Sequence, residues 1–503
     1  TIVKYWTNLE YPPEEFTTIK LSMIPKTCDL SNPNKWRGIA LGDIVAKSIS
    51  SIIAHRLTQH LCTFGMDEQC GSLFGKGCVD ATFTLKRALQ QLREQGQNTH
   101  VLFVDLVKAY DSVNRELLWK ILKVYGVPEE TIIVLKKLHT NVKYLLRVGE
   151  EKVEIEATVG VIQGNNLGPI LFIYLIQAVA TTLDKKMRKA NIKQADFRCY
   201  KRRKDGMTQY NPSLSKATNV NNEGMKFKFD KSFYVDDAAF TFLTRNDIER
   251  GGKLIQSHFK EFGLTVHAGN KLTEDKSKTE AMFFPSAGEE STTDEEADIM
   301  IGEQEFFSYT KKFKYLGSIF TPSLKDDEDI KRRISQACGA FAQAEKVLCD
   351  HRLQAKTRVR FYEATVVNLL LWGCESWALT KELKRKLEVC HHRFLRRIAG
   401  ITIFDVMEQH ITNEQVREGL GNCRSLHQII EISRCKWLQK LAKMDHNRKP
   451  KKTLKCWVFK APRPVGRRQE CIETSLSKMI TNSLGLNDNL NDWMTTDKET
   501  WKH

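Results

Sequence analysis

Residues 232–242 read SFYVDDAAFTF, two carboxylates at the centre of an aromatic, β-prone run. Such a run predicts a hairpin over residues 233–243 with Asp236 and Asp237 at its middle. Alone, a pair of aspartates reads as turn chemistry. A second stretch changes that reading: residues 100–111 are HVLFVDLVKAYD, in which the strand-like run VLFV ends directly on Asp105. Like charges gathered by buried strands repel, by about 4 kcal/mol for a pair ~4 Å apart at an effective dielectric near 20. A divalent cation removes that cost. Oxygen-only ligation suits Mg²⁺, which keeps waters and takes substrate phosphates as its other ligands. Two such ions about 4 Å apart can activate an attacking hydroxyl and stabilise a leaving pyrophosphate in an in-line displacement.

The chain around these aspartates has 503 residues, 41% hydrophobic, with a formal charge of +17. That length supports several domains, and the apolar fraction excludes wholesale disorder. The strongest apolar stretches, residues 168–180 and 366–372, fall short of the ~20 residues a membrane span needs, so no membrane partner is expected. No basic-then-apolar leader opens the chain, and thirteen cysteines lack any CxxC pair. Both features predict reduced thiols and an intracellular setting, nucleus or cytoplasm. Residues 185–204 carry ten basic side chains and one acidic, and residues 436–468 carry twelve and one. With Trp437, Trp457 and Phe459 interleaved, the second run predicts a nucleic-acid surface. Residues 286–300 hold six acids and no base, which reads as a solvated linker.

Apolar spacing of three and four predicts helix within residues 36–62, then over 79–94, 115–124, 168–187 and 249–262. Residues 281–285 and 312–320 read as strands. From Ile330 onward amphipathic helices dominate, for example Leu383, Leu387, Cys390, Phe394 and Ile398 on one face.

The ordered series of motifs resembles the reverse transcriptases, above all those of non-LTR (LINE-type) retrotransposons. IPKTCDLSNPNKWRGIAL (24–41) and QCGSLFGKGCVDATFTL (69–85) resemble the finger motifs. FVDLVKAYD, VIQGNNLGP (161–169) and YVDD resemble the palm motifs. FGLTVHAGNKLTEDKSKTEAMFF (262–284), KKFKYLGSIF (311–320) and FYEATVVNLLLWGCESWALT (361–380) resemble the late palm motif, the primer grip and the thumb. The resemblance implies an α/β (α+β) right-hand polymerase. Fingers and palm would occupy 1–320, with a basic insertion at 185–232 and the acidic linker at 286–300. A helical thumb would follow at 321–405 and a basic α-rich region at 406–503.

It also implies roles. Asp105, Asp236 and Asp237 become the carboxylates for two Mg²⁺ (or Mn²⁺), with the Leu106 carbonyl as a further oxygen. Tyr110 would pack under the sugar, Lys26 and Arg37 would hold the triphosphate, and Gln163 and Gly164 would face nucleotide and template. Lys278, or its neighbour Lys276, would protonate pyrophosphate as general acid. Phe313, Tyr315, Leu316 and Gly317 would grip the primer. The implied partners are an RNA template, a DNA primer or target, and dNTPs.

Four positions depart from the family pattern. Ile162 stands where a cation is usual before Gln163, Asn165 where an acid follows Gly164, Ser72 where an aromatic is common, and Lys76 where arginine is common. With the first methionine only at Met23, these predict a truncated, drifting copy. Cys423, His427, Cys435 and His446 lack zinc-knuckle spacing. Two other functions stay open: a remnant that binds nucleic acid without polymerising, and an intron-encoded maturase.

Overall fold

The computed structural model describes residues 12–26, 30–32, 35–162, 164–199, 225–289, 296–445, 447–454, 456–458 and 469–484. Strands β1 (Thr18–Pro25) and β2 (Trp36–Leu41) pair antiparallel, Ile24 opposite Arg37. The helix expected within residues 36–62 begins at Ile44. The apolar helical spacing starts there, and the Asp43 carboxylate fixes the start by accepting the Val45 and Ala46 N–H groups. Helix α1 (Ile44–Phe64) buries Ile49, Ile53, Leu57 and Leu61, and α2 (Cys78–Glu94) is buried continuously from Asp80 to Leu92.

Strand β3 (Thr99–Val104) is buried along its whole length. Helices α3 (Arg115–Val124) and α4 (Glu129–Leu138) are parted by Gly126 and Pro128. The hairpin of β4 (Lys143–Val148) and β5 (Glu151–Glu156) completes a first sheet of order β2-β1-β4-β5. Helix α5 (Leu167–Lys189) outruns the apolar stretch read from the sequence. Its 23 residues would suit a membrane by length and composition, but Leu171, Phe172, Tyr174, Leu175 and Val179 are fully buried in the largest core.

Strands β6 (Asp196–Cys199) and β7 (Met225–Lys228) precede the expected hairpin, β8 (Lys231–Tyr234) with β9 (Asp237–Phe242). Helix α6 (Arg245–Glu261) starts earlier than its apolar spacing, because the Thr244 hydroxyl accepts the Asp247 N–H. With β10 (Gly269–Asn270), β11 (Glu280–Phe284), β12 (Ile299–Met300) and β13 (Glu305–Tyr309), a second sheet forms in the order β10-β13-β11-β3-β9-β8, β12 lying on β13. The acidic stretch 286–300 thus ends in a strand, and residues 290–295 of it lie outside the described residues. A separate hairpin joins β14 (Phe313–Tyr315) to β15 (Ser318–Phe320).

Helices follow, as the amphipathic spacing predicts: α7 (Asp327–Leu348), α8 (Ala355–Tyr362), α9 (Lys381–Ala399), α10 (Ile403–Glu408), α11 (Asn413–Gly419), α12 (Leu426–Lys443), α13 (Lys449–Leu454) and α14 (Ile472–Leu484). Leu383, Leu387, Cys390, Phe394 and Ile398 of α9 are all buried.

The basic segments depart from expectation. Strand β16 (Cys456–Val458) pairs with β6, Cys456 opposite Cys199, and β6 pairs with β7. Pieces of the expected insertion and of the expected C-terminal region therefore share one sheet. Leu438, Leu441, Leu454, Ile472 and Leu476 form an apolar cluster closed by Phe83 of α2 and by Trp437. Trp437 is buried edge-on to Phe83 at 5.2 Å, so it is not open for base stacking. The side chain of Trp457, with Phe459 and His446, lies outside the described residues. Cations of this segment meet acids from the first half: Lys440 lies 2.9 Å from Asp80, Arg448 2.6 Å from Asp67 and Lys449 3.2 Å from Glu68. Trp437→Ala is expected to cost about 3–5 kcal/mol in denaturant unfolding, the price of a cavity in this cluster.

Candidate active site

The β3–β9 register sets the site. Val104 lies opposite Ala238, and the next step brings Asp105 beside Asp237 at the end of the sheet. Strands β8 and β9 pair through Tyr234 and Asp237, leaving Val235 and Asp236 as a two-residue turn. Val235 adopts φ 61°, a region that favours glycine and is strained for a β-branched side chain.

Asp105 is fixed from both sides. Its N–H donates to Thr279 Oγ1 at 3.1 Å, and its carbonyl accepts the His267 N–H at 2.9 Å. Leu106, the next residue, bridges Val266. The carboxylates feel one another. Burial first, then Asp105, holds Asp236 above the usual carboxylate range, against the pull of Arg37. Burial, Asp236 and Asp105 together push Asp237 up to about 6, although its side chain reaches solvent. Burial and Asp236 likewise raise the Tyr110 phenol, opposed by Arg37. The Tyr110 ring stacks on Phe172, with centroids 5.1 Å apart. Asp105, Asp236, Asp237, Tyr110 and Arg37 therefore form one electrostatic neighbourhood.

Among the described residues, no group of three or more His, Cys, Asp or Glu side chains is placed to hold a metal ion. The fit to a divalent cation rests on donor chemistry. Three carboxylates, two of them raised in pKa by burial first and by their neighbours' charge second, offer oxygen ligands only, with coordination left for phosphates and water.

The other expected residues distribute as follows. Arg37 is exposed on β2. Lys26 is exposed just past β1, and its N–H donates to the Lys35 carbonyl. Gln163 lies outside the described residues. Gly164 has φ 122°, and a Cβ there would meet the Ala40 carbonyl oxygen at 2.2 Å, so only glycine lets this loop dock on β2. Lys276 and Lys278 are both exposed, and Lys278 adjoins Thr279. Phe313 stacks on Phe103 with centroids 4.1 Å apart, and the Tyr315 hydroxyl lies 3.3 Å from Ser232 Oγ, which ties the hairpin to β3 and β8. Leu316 (φ 46°) and Gly317 (φ 86°) make its turn, and the Gly317 carbonyl accepts Arg332 and Arg333.

The motif departures at 162 and 165 have places in the packing. Ile162 is 8% exposed in a cluster with Ile19, Ala40 and Val142. Asn165 Oδ1 accepts the Leu167 and Gly168 N–H groups at 3.1 and 2.9 Å, capping α5. Restoring the commoner motif with Ile162→Lys plus Asn165→Asp is therefore expected to lower unfolding stability by about 2–3 kcal/mol, because an ammonium enters an apolar cluster. Denaturant titration of the double variant checks this.

Two supporting residues escaped the sequence reading, Thr279 and Gln69. Gln69 Oε1 accepts the Val235 N–H at 2.9 Å. In the sequence it is one polar residue opening QCGSLFGKG, with no signal beyond that motif.

A family described as reverse transcriptase (RNA-dependent DNA polymerase) matches residues 24–320. The retrovirus-related Pol polyprotein of the type-1 retrotransposable element R2 of Popillia japonica is 27% identical over 177 residues, 34% of this chain and 24% of that protein. A Pol polyprotein of a type-2 retrotransposable element of Drosophila melanogaster is 24% identical over 177 residues, 35% of this chain and 16% of that protein. An uncharacterized 149 kDa protein of transposon TX1 from Xenopus laevis is 25% identical over 179 residues, 35% of this chain and 14% of that protein. The chain spans a quarter or less of the length of these relatives. Apo telomerase from Candida tropicalis is a loose structural likeness, with a TM-score of 0.40 and 11% identity over 91% of this chain and 73% of that chain.

Proposed function

Because the chain belongs to the reverse transcriptase (RNA-dependent DNA polymerase) family, we propose that it extends a DNA 3′-hydroxyl along an RNA template with dNTPs, as the polymerase part of a non-LTR retrotransposon polyprotein. The observation that carries this reading is the meeting of Asp105, Asp236 and Asp237 at one end of the second sheet, with Arg37 and Tyr110 in the same field.

In this reading Asp105 and Asp236 are the primary ligands, Asp237 stands beside them and the Leu106 carbonyl adds an oxygen. Two Mg²⁺ bound there, or Mn²⁺, would lower the pKa of the primer hydroxyl and neutralise the departing pyrophosphate. Arg37 and Lys26 hold the triphosphate by charge-assisted hydrogen bonds. Tyr110, braced by Phe172, supports the sugar and leaves no space for a 2′-hydroxyl. Lys278, or Lys276, returns a proton to pyrophosphate. Gly164 faces the template and nucleotide, Gln163 being assigned there by its motif alone, and residues 313–317 hold the primer end.

Primer extension on poly(rA)/oligo(dT) tests the proposal. The expected result is dTTP incorporation that needs Mg²⁺ and stops with EDTA. Binding of the RNA–DNA hybrid with no incorporation would instead favour a remnant that only binds nucleic acid.

A further inference from the structure

Val235 holds a conformation that costs a β-branched residue about 1–3 kcal/mol and persists only where the surroundings over-determine it. Those surroundings come from residues 68–71, between α1 and α2. The Glu68 carbonyl accepts the Phe233 N–H at 2.9 Å, and the Cys70 N–H donates to the Phe233 carbonyl at 2.9 Å. Gln69 pairs with Phe233 as an isolated parallel bridge. Gln69 is 1% exposed, and its Oε1 accepts both the Val235 N–H at 2.9 Å and the Gly71 N–H at 2.8 Å. A Cβ on Gly71 would lie 2.5 Å from Val235 Cγ2, so the segment sits directly on the turn.

The segment is in turn gripped from the C-terminal half. Arg448 Nε lies 2.6 Å from Asp67 Oδ1, and Lys449 Nζ lies 3.2 Å from Glu68 Oε1. The Lys449 backbone N–H donates to Asp67 Oδ2, and its ammonium donates to the Lys228 carbonyl, over the Phe227 ring at 5.5 Å. Lys449 thus ties residues 67–68 to β7, the strand just before the catalytic hairpin. We propose that residues 67–71, clamped by Arg448 and Lys449, are the positioning element that sets the Val235–Asp236 turn. The C-terminal cations then serve carboxylate geometry through Glu68 and Gln69. The inference rests on the polymerase reading only for its kinetic consequence.

Hydrogen exchange of the full chain tests the clamp directly. The Val235 amide is followed in the parent, Gln69→Ala, Lys449→Met and Lys449→Arg, with amides of α5 as the control for global folding. Exchange at Val235 is expected to quicken at least about tenfold in Gln69→Ala and about threefold in Lys449→Met, with Lys449→Arg close to the parent and α5 unchanged. On poly(rA)/oligo(dT), kcat should fall in the same order, while KM for dTTP and affinity for the hybrid change by less than about threefold.

Unchanged exchange at Val235 in Gln69→Ala and Lys449→Met would overturn the proposal. So would equal damage from Lys449→Arg and Lys449→Met, or a loss of hybrid affinity without a loss of kcat, which would make Lys449 a nucleic-acid contact. If the parent incorporates nothing, the polymerase reading fails on its own, and exchange at Val235 still decides whether the clamp exists.

Discussion

Asp236→Asn is expected to cut nucleotide incorporation at least about a thousandfold, the equivalent of roughly 4 kcal/mol of lost transition-state stabilisation. The amide keeps the side chain's volume but removes the negative charge that a cation needs. The same substitution is expected to leave the fold as stable as the parent, or to raise its melting temperature in chelator. Burial and Asp105 hold the Asp236 carboxyl above its usual range, so its ionised form is disfavoured in the folded chain. At neutral pH an uncharged isostere removes that penalty. Incorporation assays paired with thermal melts check both halves. Joint loss of activity and stability would mean that Asp236 serves the fold rather than the chemistry.

Asp326→Ala is expected to destabilise the chain by about 3–5 kcal/mol, because it leaves a buried ammonium without its counter-charge. Asp326 is 1% exposed at the junction between the second sheet and the helices. It pairs with Lys86 of α2, and its second oxygen accepts the Ala378 N–H at 2.7 Å. Its neighbour Asp329 accepts Trp377 Nε1 at 3.0 Å and the Ile319 N–H of β15 at 3.3 Å. Arg434 of α12 donates to the Cys374 and Trp377 carbonyls and to Ser475 Oγ of α14. Parts of α2, β15, the start of α7, residues 374–378, α12 and α14 meet in this one polar knot, so the damage should spread to the β14–β15 hairpin. Denaturant unfolding gives the energy. Asp326→Asn, which keeps an acceptor for Ala378, should recover part of it. A shift below about 1 kcal/mol would place the junction's stability in the surrounding apolar core instead.

Much of this architecture could be read from local sequence. Strand β3, helix α3 and the β8–β9 hairpin follow from short apolar runs with clear breakers, and the carboxylates stood out because Asp rarely abuts a buried strand without a reason. What escaped was non-local. Within 436–468, which reads as a nucleic-acid surface, local sequence does not show that Lys440, Arg448 and Lys449 meet acids in α2 and the loop before it, far away in the chain. Gln69 and Thr279 carry no periodic signal, and their importance comes from the single backbone groups they satisfy on Val235 and Asp105. Strand β2 carries no local signal of its own, because its partner β1 lies across a loop that local spacing does not register. The departures at Ile162 and Asn165 show only as differences from a motif in the sequence; packing adds an apolar cluster for one and a helix cap for the other.

We propose that Asp105, Asp236 and Asp237 together hold divalent cations against a nucleotide. Mn²⁺ titration by electron paramagnetic resonance measures this most directly, on the full chain with a poly(rA) template, a dideoxy-terminated oligo(dT) primer and dTTP. Two ions per chain that depend on dTTP are expected in the parent, with loss of at least one of them in Asp236→Asn. Equal Mn²⁺ occupancy in parent and variant would contradict it.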